Sequence, residues 1–423
     1  MNRFTQLTVA WPLLWAALSA ILFAQTTFAT PVNIGLNYPK TGAYRDQGLA
    51  QMRGALLAVE EINASGGILG RPVNLITKNS ASQAARSVKN VQALAQDDVK
   101  MVFGGSSSAV AIAAGKEAKR QDLIYFGTLT YSNATTGTEG HRHMFRESYN
   151  AWMAAKVLSK YLNSHHKGQR FFYITADYTW GWSTEESMRK FTDTANTETH
   201  PGLRTQFPRP PIRTLRESLI EAESSGADVL VLVQFGSDMA QALKIANKMG
   251  LKDKMQIVVP SLTLGMAKEA GPTSMQGVVG AVPWSWRVPF IYNYERGTQF
   301  AANFSEKYLT YPSSSAASAY SILYQYKDAV ERARSFDTGR VIEQLEGHTY
   351  TLLKDQQQWR SFDHQNIQTV YAVKGKPRPQ VIEDRFNEDF FDIIDSLNGE
   401  DAARSLKEWQ AVRKAAKKPA RLL

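Results

Sequence analysis

The chain has 423 residues, no cysteine and a formal net charge of +10. This length exceeds what a single hydrophobic core usually fills, so two domains are expected. The absence of cysteine excludes a disulfide framework, a thiolate metal site and a catalytic thiol. The basic residues are spread along the chain instead of being gathered into an arm, which disfavours nucleic acid as a partner.

The first residues have the composition of a secretory signal peptide. Arg3 gives a short positive segment, an apolar run covers residues 11–24, and Thr27 and Ala29 are small residues suited to a cleavage site. The apolar run is shorter than the ~20 residues of a spanning helix, although a membrane anchor remains the alternative. We therefore predict that residues 1–29 are a signal peptide, cleaved near Ala29, and that the remainder is exported to the periplasm.

Residues 32–76 have the pattern of a β-α-β unit. Gly66 and Gly67 end the predicted helix, because glycine enters the left-handed conformation without a Cβ clash. An apolar run that begins at Val73 predicts the following strand. The helix before the glycines carries one apolar face at i, i+3, i+4 spacing, formed by Met52, Ala55, Leu56, Val59 and Ile62.

Short apolar runs recur along the chain and are typical of parallel strands buried on both faces. They cover residues 32–36, 73–76, 101–104, 123–126, 171–175, 229–235 and 256–259. Amphipathic helices are predicted between them, for example at residues 82–97, 152–163 and 237–249. The alternation occurs once before and once after about residue 147, which predicts two similar α/β lobes.

Several ordered motifs carry a family resemblance. The chain contains, in order, GLNYPKTGAYRDQG, AVEEINASGGILGRPV and VKMVFGGSSSAVAIAAGKEAKRQDLIYFGTLT. These motifs resemble the N-terminal lobe of the periplasmic leucine/isoleucine/valine-binding proteins and their amide- and urea-binding relatives, and the resemblance extends over roughly residues 31–385. It implies a type I periplasmic binding protein fold, in which two doubly wound α/β lobes are joined by three crossover hinge strands, with a ligand cleft between the lobes.

The same resemblance implies the domain boundaries. Crossovers are expected near Glu147, at 283–286 and at 350–353. Lobe 1 would then comprise residues 30–147 and 285–350, and lobe 2 residues 148–284 and 351–385. Residues 386–423 leave the family pattern and are predicted to form a C-terminal helical extension, with an amphipathic helical turn at 389–397. Packing across a lobe and contact with a membrane surface or partner are both open for this extension.

In lobe 1, a glycine- and serine-rich run follows a predicted strand and precedes a helix. This is where open α/β sheets bind ligands, and the serine hydroxyls and free N–H groups of a helix start suit a carboxylate. An ordinary serine N-cap is the alternative. The resemblance implies ligand contacts in this lobe from six residues: Gln47, Ser106, Ser107, Ser108, Thr130 and Tyr131. Tyr44 lies on the same loop as the first of them.

In lobe 2, Trp180 and Phe235 match positions where relatives place aromatic residues over the ligand, with core packing as the alternative. Aromatic faces opposite a serine and threonine floor suit a small ligand with an apolar or planar body. The resemblance implies a ninth ligand contact at Ser261, where the amino-acid-binding members carry an acidic residue. A buried ammonium group without a counter-charge is costly, so an amide, a urea-like compound or a small organic acid is expected rather than an α-amino acid.

No catalytic motif is found: the chain lacks a Gly-x-Ser-x-Gly elbow, a phosphate loop and a His-Glu-x-x-His pattern. His141 and His143 are expected at the surface, and no metal, cofactor or enzymatic activity is expected. The resemblance implies a monomeric solute-binding component that closes on its ligand and delivers it to a membrane permease with separate ATPase subunits. A periplasmic module that reports its ligand to a signalling partner is the alternative.

Overall fold

The computed structural model describes residues 29–423. The predicted signal peptide, apart from its last residue, lies outside the described residues. Within the described part of the chain, every helix is too short or too polar to cross a membrane.

The first lobe is built on a five-stranded sheet. Its strands are β1 (Val32–Tyr38), β2 (Val73–Asn79), β3 (Val99–Gly104), β4 (Ile124–Gly127) and β5 (Met144–Arg146). Helices α1 (Arg45–Ala64), α2 (Ala84–Gln96) and α3 (Ser108–Arg120) connect them. The order is β2-β1-β3-β4-β5 and every pairing is parallel. This is the doubly wound arrangement that the sequence predicts.

The chain then enters the second lobe, which contains a larger sheet. Its helices are α4 (Ala151–His165), α5 (Thr179–Phe191), α6 (Ile212–Ser224), α7 (Gly236–Lys248), α8 (Leu264–Ala270) and α9 (Pro272–Met275). Its parallel strands are β6 (Phe171–Ala176), β7 (Gly202–Thr205), β8 (Val229–Val233), β9 (Gln256–Val259) and β10 (Val279–Val282). All five residues of β8 are buried, as expected for a central parallel strand.

A second passage through the first lobe follows. It contains α10 (Arg287–Ile291), α11 (Glu295–Tyr308), α12 (Ser314–Ala333), α13 (Thr338–Leu345) and a small antiparallel sheet of β11 (Thr349–Tyr350), β12 (Gln357–Trp359) and β13 (Asn366–Ile367). Helix α12 packs closely along α1: a Cβ added to Gly54 would lie 2.2 Å from the carbonyl oxygen of Ala316. Only glycine at position 54 allows this approach.

The predicted helix ends at glycine residues are confirmed. Gly66 and Gly67 follow the end of α1 with φ of 99° and 78°, and Gly250 follows α7 with φ of 69°. The predicted strands are present with shifts of a few residues at their ends. Helix 237–249 corresponds to Gly236–Lys248, and the run at 229–235 is shortened to Val229–Val233.

The chain passes between the five-stranded and the seven-stranded sheet at three crossings. The first follows β5 at 147–150 and the second follows β10 at 283–286. The third lies between β13 and the next strand, near Gln368, and not at 350–353. The predicted position is too early because Tyr350, Leu353 and Trp359 are buried in the core of the first lobe.

The C-terminal extension differs from the prediction. It begins after β14 (Val370–Gly375) and α14 (Arg378–Glu383), and its segment 389–397 forms the strand β15 (Phe391–Leu397) instead of a helical turn. This strand pairs antiparallel with β14 and completes the order β15-β14-β10-β9-β8-β6-β7. The open edge of β14 offers unpaired backbone groups, and satisfying them outweighs the weak helical periodicity of the segment.

The last part of the extension is helical, as predicted, and returns to the first lobe. After α15 (Gly399–Ala402), helix α16 (Leu406–Ala415) begins with a capping box between Ser405 and Glu408. The indole N–H of Trp409 donates to the carbonyl oxygen of Thr136 at 2.9 Å, and the Arg413 guanidinium donates to that of Gly137 at 2.6 Å. The extension therefore packs against both lobes, while contact with a membrane surface or partner stays a prediction.

Candidate functional site

The glycine- and serine-rich loop after β3 reaches the space between the lobes. Gly104 adopts φ of 122°, and a Cβ there would lie 2.4 Å from the carbonyl oxygen of Asn37, so glycine is required. Ser107 is the N-cap of α3 and its hydroxyl accepts from the N–H of Val110 at 3.4 Å. The Ser107 side chain thus serves as the ordinary cap that was the alternative interpretation.

Six of the nine predicted ligand-binding residues surround one cavity. The first lobe contributes Ser106, Ser107, Ser108, Leu129 and Tyr131, and the second contributes Tyr178, Trp180 and Phe235. The cavity measures about 10 Å³, which is room for roughly one water molecule. A ligand therefore enters only if the lobes separate.

The cavity wall is an aromatic cluster drawn from both lobes. Around Phe235, the ring centroids of Tyr44, Tyr131 and Trp180 lie at 5.3, 5.6 and 5.8 Å, each close to edge to face. Tyr178 stacks on Phe207 with centroids 3.6 Å apart. Edge-to-face and offset ring contacts are the favoured aromatic geometries. A planar or apolar ligand body fits such a wall.

Polar atoms without partners lie among these rings. In the cavity wall, the hydroxyl of Ser106 and the indole N–H of Trp180 are buried, and neither makes a hydrogen bond within the described chain. Leaving a buried polar group unpaired costs about 1–3 kcal/mol. These two groups are therefore candidate hydrogen-bonding groups for a ligand, whereas the unpaired Ser261 hydroxyl and Gln47 side-chain oxygen lie outside this wall.

No charged side chain lines the cavity among the described residues. Ser261 follows β9 and is buried. Two buried acids act on residues of the aromatic cluster: Glu147 in the first crossing, near Tyr131, and Asp238 on α7, whose carboxylate accepts from the N–H of Arg209 at 3.1 Å. Burial raises the pKa of Asp238, which opposes its ionisation. The cleft therefore offers a ligand ammonium group no evident counter-charge.

Three predicted residues lie away from this cavity. Thr130 turns its hydroxyl to that of Thr135 at 2.8 Å, and it is not part of the cavity wall. Gln47 donates its side-chain N–H to the Thr263 hydroxyl at 3.4 Å and lines a different pocket. Ser261 is near the aromatic cluster but outside the cavity wall. Direct ligand contact stays a prediction for all nine residues.

The sequence reasoning missed several residues of the site. Tyr178 could have been found, because it follows the predicted strand β6 and lies two positions before Trp180. Phe207 carries no comparable signal, since it lies after β7, a strand that the sequence did not predict. Tyr149 contacts Tyr131 edge to face at 5.2 Å and lies in the first crossing, where no motif marks it.

Hydrogen bonds between the lobes show that the cleft is closed. The hydroxyls of Ser132 and Thr179 are 3.0 Å apart. The amide of Asn133 donates to the Ser187 hydroxyl at 2.9 Å. The N–H of Ser237 donates to the carbonyl oxygen of Ala43 at 3.5 Å. These short polar side chains let the two surfaces meet without burying an unpaired charge.

A buried lysine connects the crossings. The Lys354 ammonium donates to the carbonyl oxygens of Pro283 and Thr369, both at 2.7 Å, and to the side-chain oxygen of Gln368 at 2.8 Å. The Gln368 amide in turn donates to the carbonyl oxygen of Glu147. Burial lowers the pKa of Lys354 to about 8. One side chain thus links the second and third crossings directly and the first through Gln368.

Among residues 29–423, no group of three or more histidine, aspartate or glutamate side chains is arranged as a metal-ligand set. The predicted surface position of His141 is wrong, because its ring is buried. Helix α3 covers it: a Cβ at Gly115 would lie 3.6 Å from the His141 Nε2. Burial lowers the pKa of His141 to about 3, so the ring is neutral at ordinary pH.

Comparison with known proteins gives a family match over most of the described chain. The family described as periplasmic binding protein matches residues 31–379. A curated relative, the Leu/Ile/Val-binding protein homolog 8 of Brucella abortus (strain 2308), is 28% identical over 252 residues. That alignment covers 56% of this chain and 60% of the relative, so the chain spans about three fifths of the relative's length.

Solved structures match over nearly their whole length. A periplasmic binding protein from Burkholderia mallei superposes with a TM-score of 0.80 at 22% identity, covering 89% of this chain and 97% of that protein. A solute-binding protein of an ABC transporter from Rhodopseudomonas palustris BisB5, in complex with 3,4-dihydroxybenzoic acid, gives a TM-score of 0.75 at 14% identity, with 87% and 98% covered. These likenesses confirm the two-lobed fold.

Proposed function

The chain belongs to the periplasmic binding protein family, and from this we propose that it is the periplasmic substrate-binding component of an ABC importer. It binds a small ligand between its lobes and delivers it, as a monomer, to a membrane permease with separate ATPase subunits. The single observation that carries the proposal is the convergence of Ser106, Tyr131, Trp180 and Phe235, from both lobes, on one cavity with unpaired polar atoms.

The ligand class follows from the chemistry of the cavity. The first turn of α3 and the serine hydroxyls at its start can donate to a carboxylate or amide oxygen. The aromatic rings accommodate a planar or apolar body. An ammonium group has no counter-charge there, since Ser261 stands where amino-acid-binding relatives carry an acid. We therefore favour an amide, a urea-like compound or a small organic acid over a branched-chain amino acid.

Branched-chain amino acids and an aromatic acid both occur as ligands in the descriptions of similar proteins. The Brucella relative is named for leucine, isoleucine and valine. The Rhodopseudomonas structure contains 3,4-dihydroxybenzoic acid. The aromatic wall around Phe235 and the uncharged lining favour a ligand of the second kind.

Binding stabilises a closed conformation and needs no chemistry on the ligand. Contacts to both lobes at once lower the free energy of the closed state relative to the open one. Hinge motion occurs at the three crossings that Lys354 connects, while each lobe moves as a unit. We expect the ligand to be released unchanged.

A thermal-shift screen of the purified protein tests the proposal, because a ligand that binds only the folded state raises the unfolding midpoint. The panel contains benzoate and hydroxybenzoates, short aliphatic acids, acetamide, urea, leucine and valine. The proposal expects a concentration-dependent shift with an acid or amide. No shift with any compound would contradict small-molecule binding of this class.

A further inference from the structure

A second pocket lies between the lobes, separate from the aromatic cavity. Its walls come from α1, from α8 and from the start of α12, and its lining includes Arg45, Gln47, Arg53, Gly265, Lys268 and Ser313. Its volume is about 310 Å³, within the range of small-molecule sites. The lobes are close together at this pocket: a Cβ at Gly265 would lie 3.6 Å from the Cβ of Asp46.

The start of α12 lacks the side-chain cap that its sequence would provide. The helix has 20 residues and begins with three consecutive serines, of which Ser313 is the N-cap. The hydroxyls of Ser313, Ser314 and Ser315 are buried, and none has a hydrogen-bond partner within the described residues. Serine at this position normally accepts from an N–H of the first turn, as Ser107 and Ser405 do in α3 and α16.

An uncapped, buried start of a long helix is a favourable position for an anion. The N–H of Ala316 donates to the Ser313 carbonyl oxygen at 3.0 Å, but those of Ser314 and Ser315 have no backbone partner among the described residues, and the helix dipole adds partial positive charge. Ser313 is 8% exposed, lines the second pocket and has a free hydroxyl. The unpaired oxygen of Gln47 belongs to the same pocket and can accept from a ligand hydroxyl.

The charges around the pocket also favour an anion. Lys268 pairs with Glu388, and Arg45 lies 3.6 Å from Asp46, so these two cations are partly neutralised. The Arg53 guanidinium lies 5.4 Å from the centre of the Tyr308 ring and forms no ion pair with a described residue. Arg53 is therefore the cation that remains available to a ligand carboxylate.

We propose that the second pocket binds a small oxyanion, best a hydroxylated organic acid, at the start of α12. Arg53, the Ser313 hydroxyl and the first-turn N–H groups of α12 hold the anionic oxygens, and the Gln47 oxygen accepts from the ligand hydroxyl. Because α1 and α12 belong to one lobe and α8 to the other, the bound acid also stabilises the closed conformation. By linkage, the bound acid raises the affinity of the aromatic cavity for its ligand, and a ligand in the aromatic cavity raises the affinity of the second pocket for the acid.

Isothermal titration of the purified protein tests this site with three probes: citrate, tricarballylate, which lacks the hydroxyl of citrate, and inorganic phosphate. We expect saturable binding of citrate, weaker binding of tricarballylate, and the weakest binding of phosphate. Arg53→Gln should weaken citrate binding about tenfold or more. The matched control Arg332→Gln removes an arginine from the far end of α12, where it pairs with Asp328, and should leave citrate affinity unchanged.

A second variant keeps the test valid if Arg53→Gln does not fold. Ser313→Ala removes a hydroxyl that caps nothing, so it should weaken citrate binding while leaving the unfolding midpoint almost unchanged. Equal citrate affinity in Arg53→Gln, Ser313→Ala and Arg332→Gln would overturn the proposal, and so would the absence of binding by all three probes. If Trp180→Ala weakened citrate binding as much as Arg53→Gln, citrate would occupy the aromatic cavity and the second site would be excluded.

Discussion

Tyr131 and Phe235 come from opposite lobes and meet edge to face, with ring centroids 5.6 Å apart and 68° between the ring planes. Tyr131 follows β4 in the first lobe, and Phe235 precedes α7 in the second. The contact therefore exists only while the lobes are closed. A ligand that enters the cavity must open this contact and replace it with contacts of its own to both rings.

Trp180→Ala should weaken ligand binding about 5- to 150-fold, which corresponds to about 1–3 kcal/mol of lost ring contact. The indole is buried against Phe235 and presents a free N–H at the cavity. Calorimetric titration with the best ligand of the thermal-shift screen measures the change.

Trp182→Ala is the matched control, since it removes the same side chain two positions away. Trp182 is 46% exposed and donates its indole N–H to Asp177 outside the cavity. Equal affinities in the two folded variants would remove Trp180 from the binding site.

Ser261→Glu tests why an amino acid is disfavoured. A carboxylate at this position would supply the counter-charge that a ligand ammonium group needs, so affinity for leucine should rise about tenfold or more. Ser261→Gln, similar in size but uncharged, should give no gain. If the two variants bind leucine equally, the position does not recognise ammonium groups, and Asp238→Asn and Glu147→Gln would then test the two buried acids near the cleft.

Lys354→Met should destabilise the protein by about 2–4 kcal/mol, because the carbonyl oxygens of Pro283 and Thr369 and the side-chain oxygen of Gln368 lose their buried donor. Denaturant unfolding followed by tryptophan fluorescence measures the difference. A loss below about 0.5 kcal/mol would show that the crossings do not depend on this side chain.

The stability difference between the wild-type protein and Lys354→Met should also depend on pH, with a sign that follows from the pKa of Lys354. The pKa of Lys354 is about 8 in the folded protein against 10.5 for the free side chain. Between these values the unfolded chain binds more protons, so the contribution of Lys354 to stability rises as pH rises from about 8 to 10.5 and is constant below. The stability difference between wild type and Lys354→Met should therefore grow over this window. A stability difference that shrinks between about pH 8 and 10.5 would contradict the burial of the Lys354 ammonium group.

Trp409→Ala should destabilise the protein by about 3–5 kcal/mol, since the indole is buried beside Phe362 and donates to the carbonyl oxygen of Thr136. Leu406→Ala, at an exposed position of the same helix, should cost little. Hydrogen exchange should also become faster in residues 133–140, which α16 covers. Unchanged exchange there would mean that the C-terminal extension does not hold this loop in place.

The fold of the first lobe could be predicted because its signals are local. Gly66 and Gly67 mark a helix end by a backbone requirement, and the apolar run 101–104 marks a strand of this lobe whose residues are all buried. The strand β15 could not be predicted in this way. Phe391–Leu397 is mostly half-buried, and only its pairing with the edge of β14 decides its conformation.

The convergence of residues on the aromatic cavity was predictable where they follow strands and not elsewhere. Ser106, Tyr131 and Trp180 each lie just after a strand, and the carboxyl ends of parallel strands meet at one edge of a sheet. Phe207 and Tyr149 reach the same cluster from an unpredicted loop and from a crossing. Their positions depend on how the lobes close, which no local pattern encodes.

Side-by-side calorimetric titration of the wild-type protein with 4-hydroxybenzoate, acetamide and leucine tests the central claim most directly. An uncharged, aromatic cavity with serine donors predicts saturable binding of the acid or the amide and no measurable heat with leucine. Saturable binding of leucine, with neither of the other two compounds bound, would contradict the account.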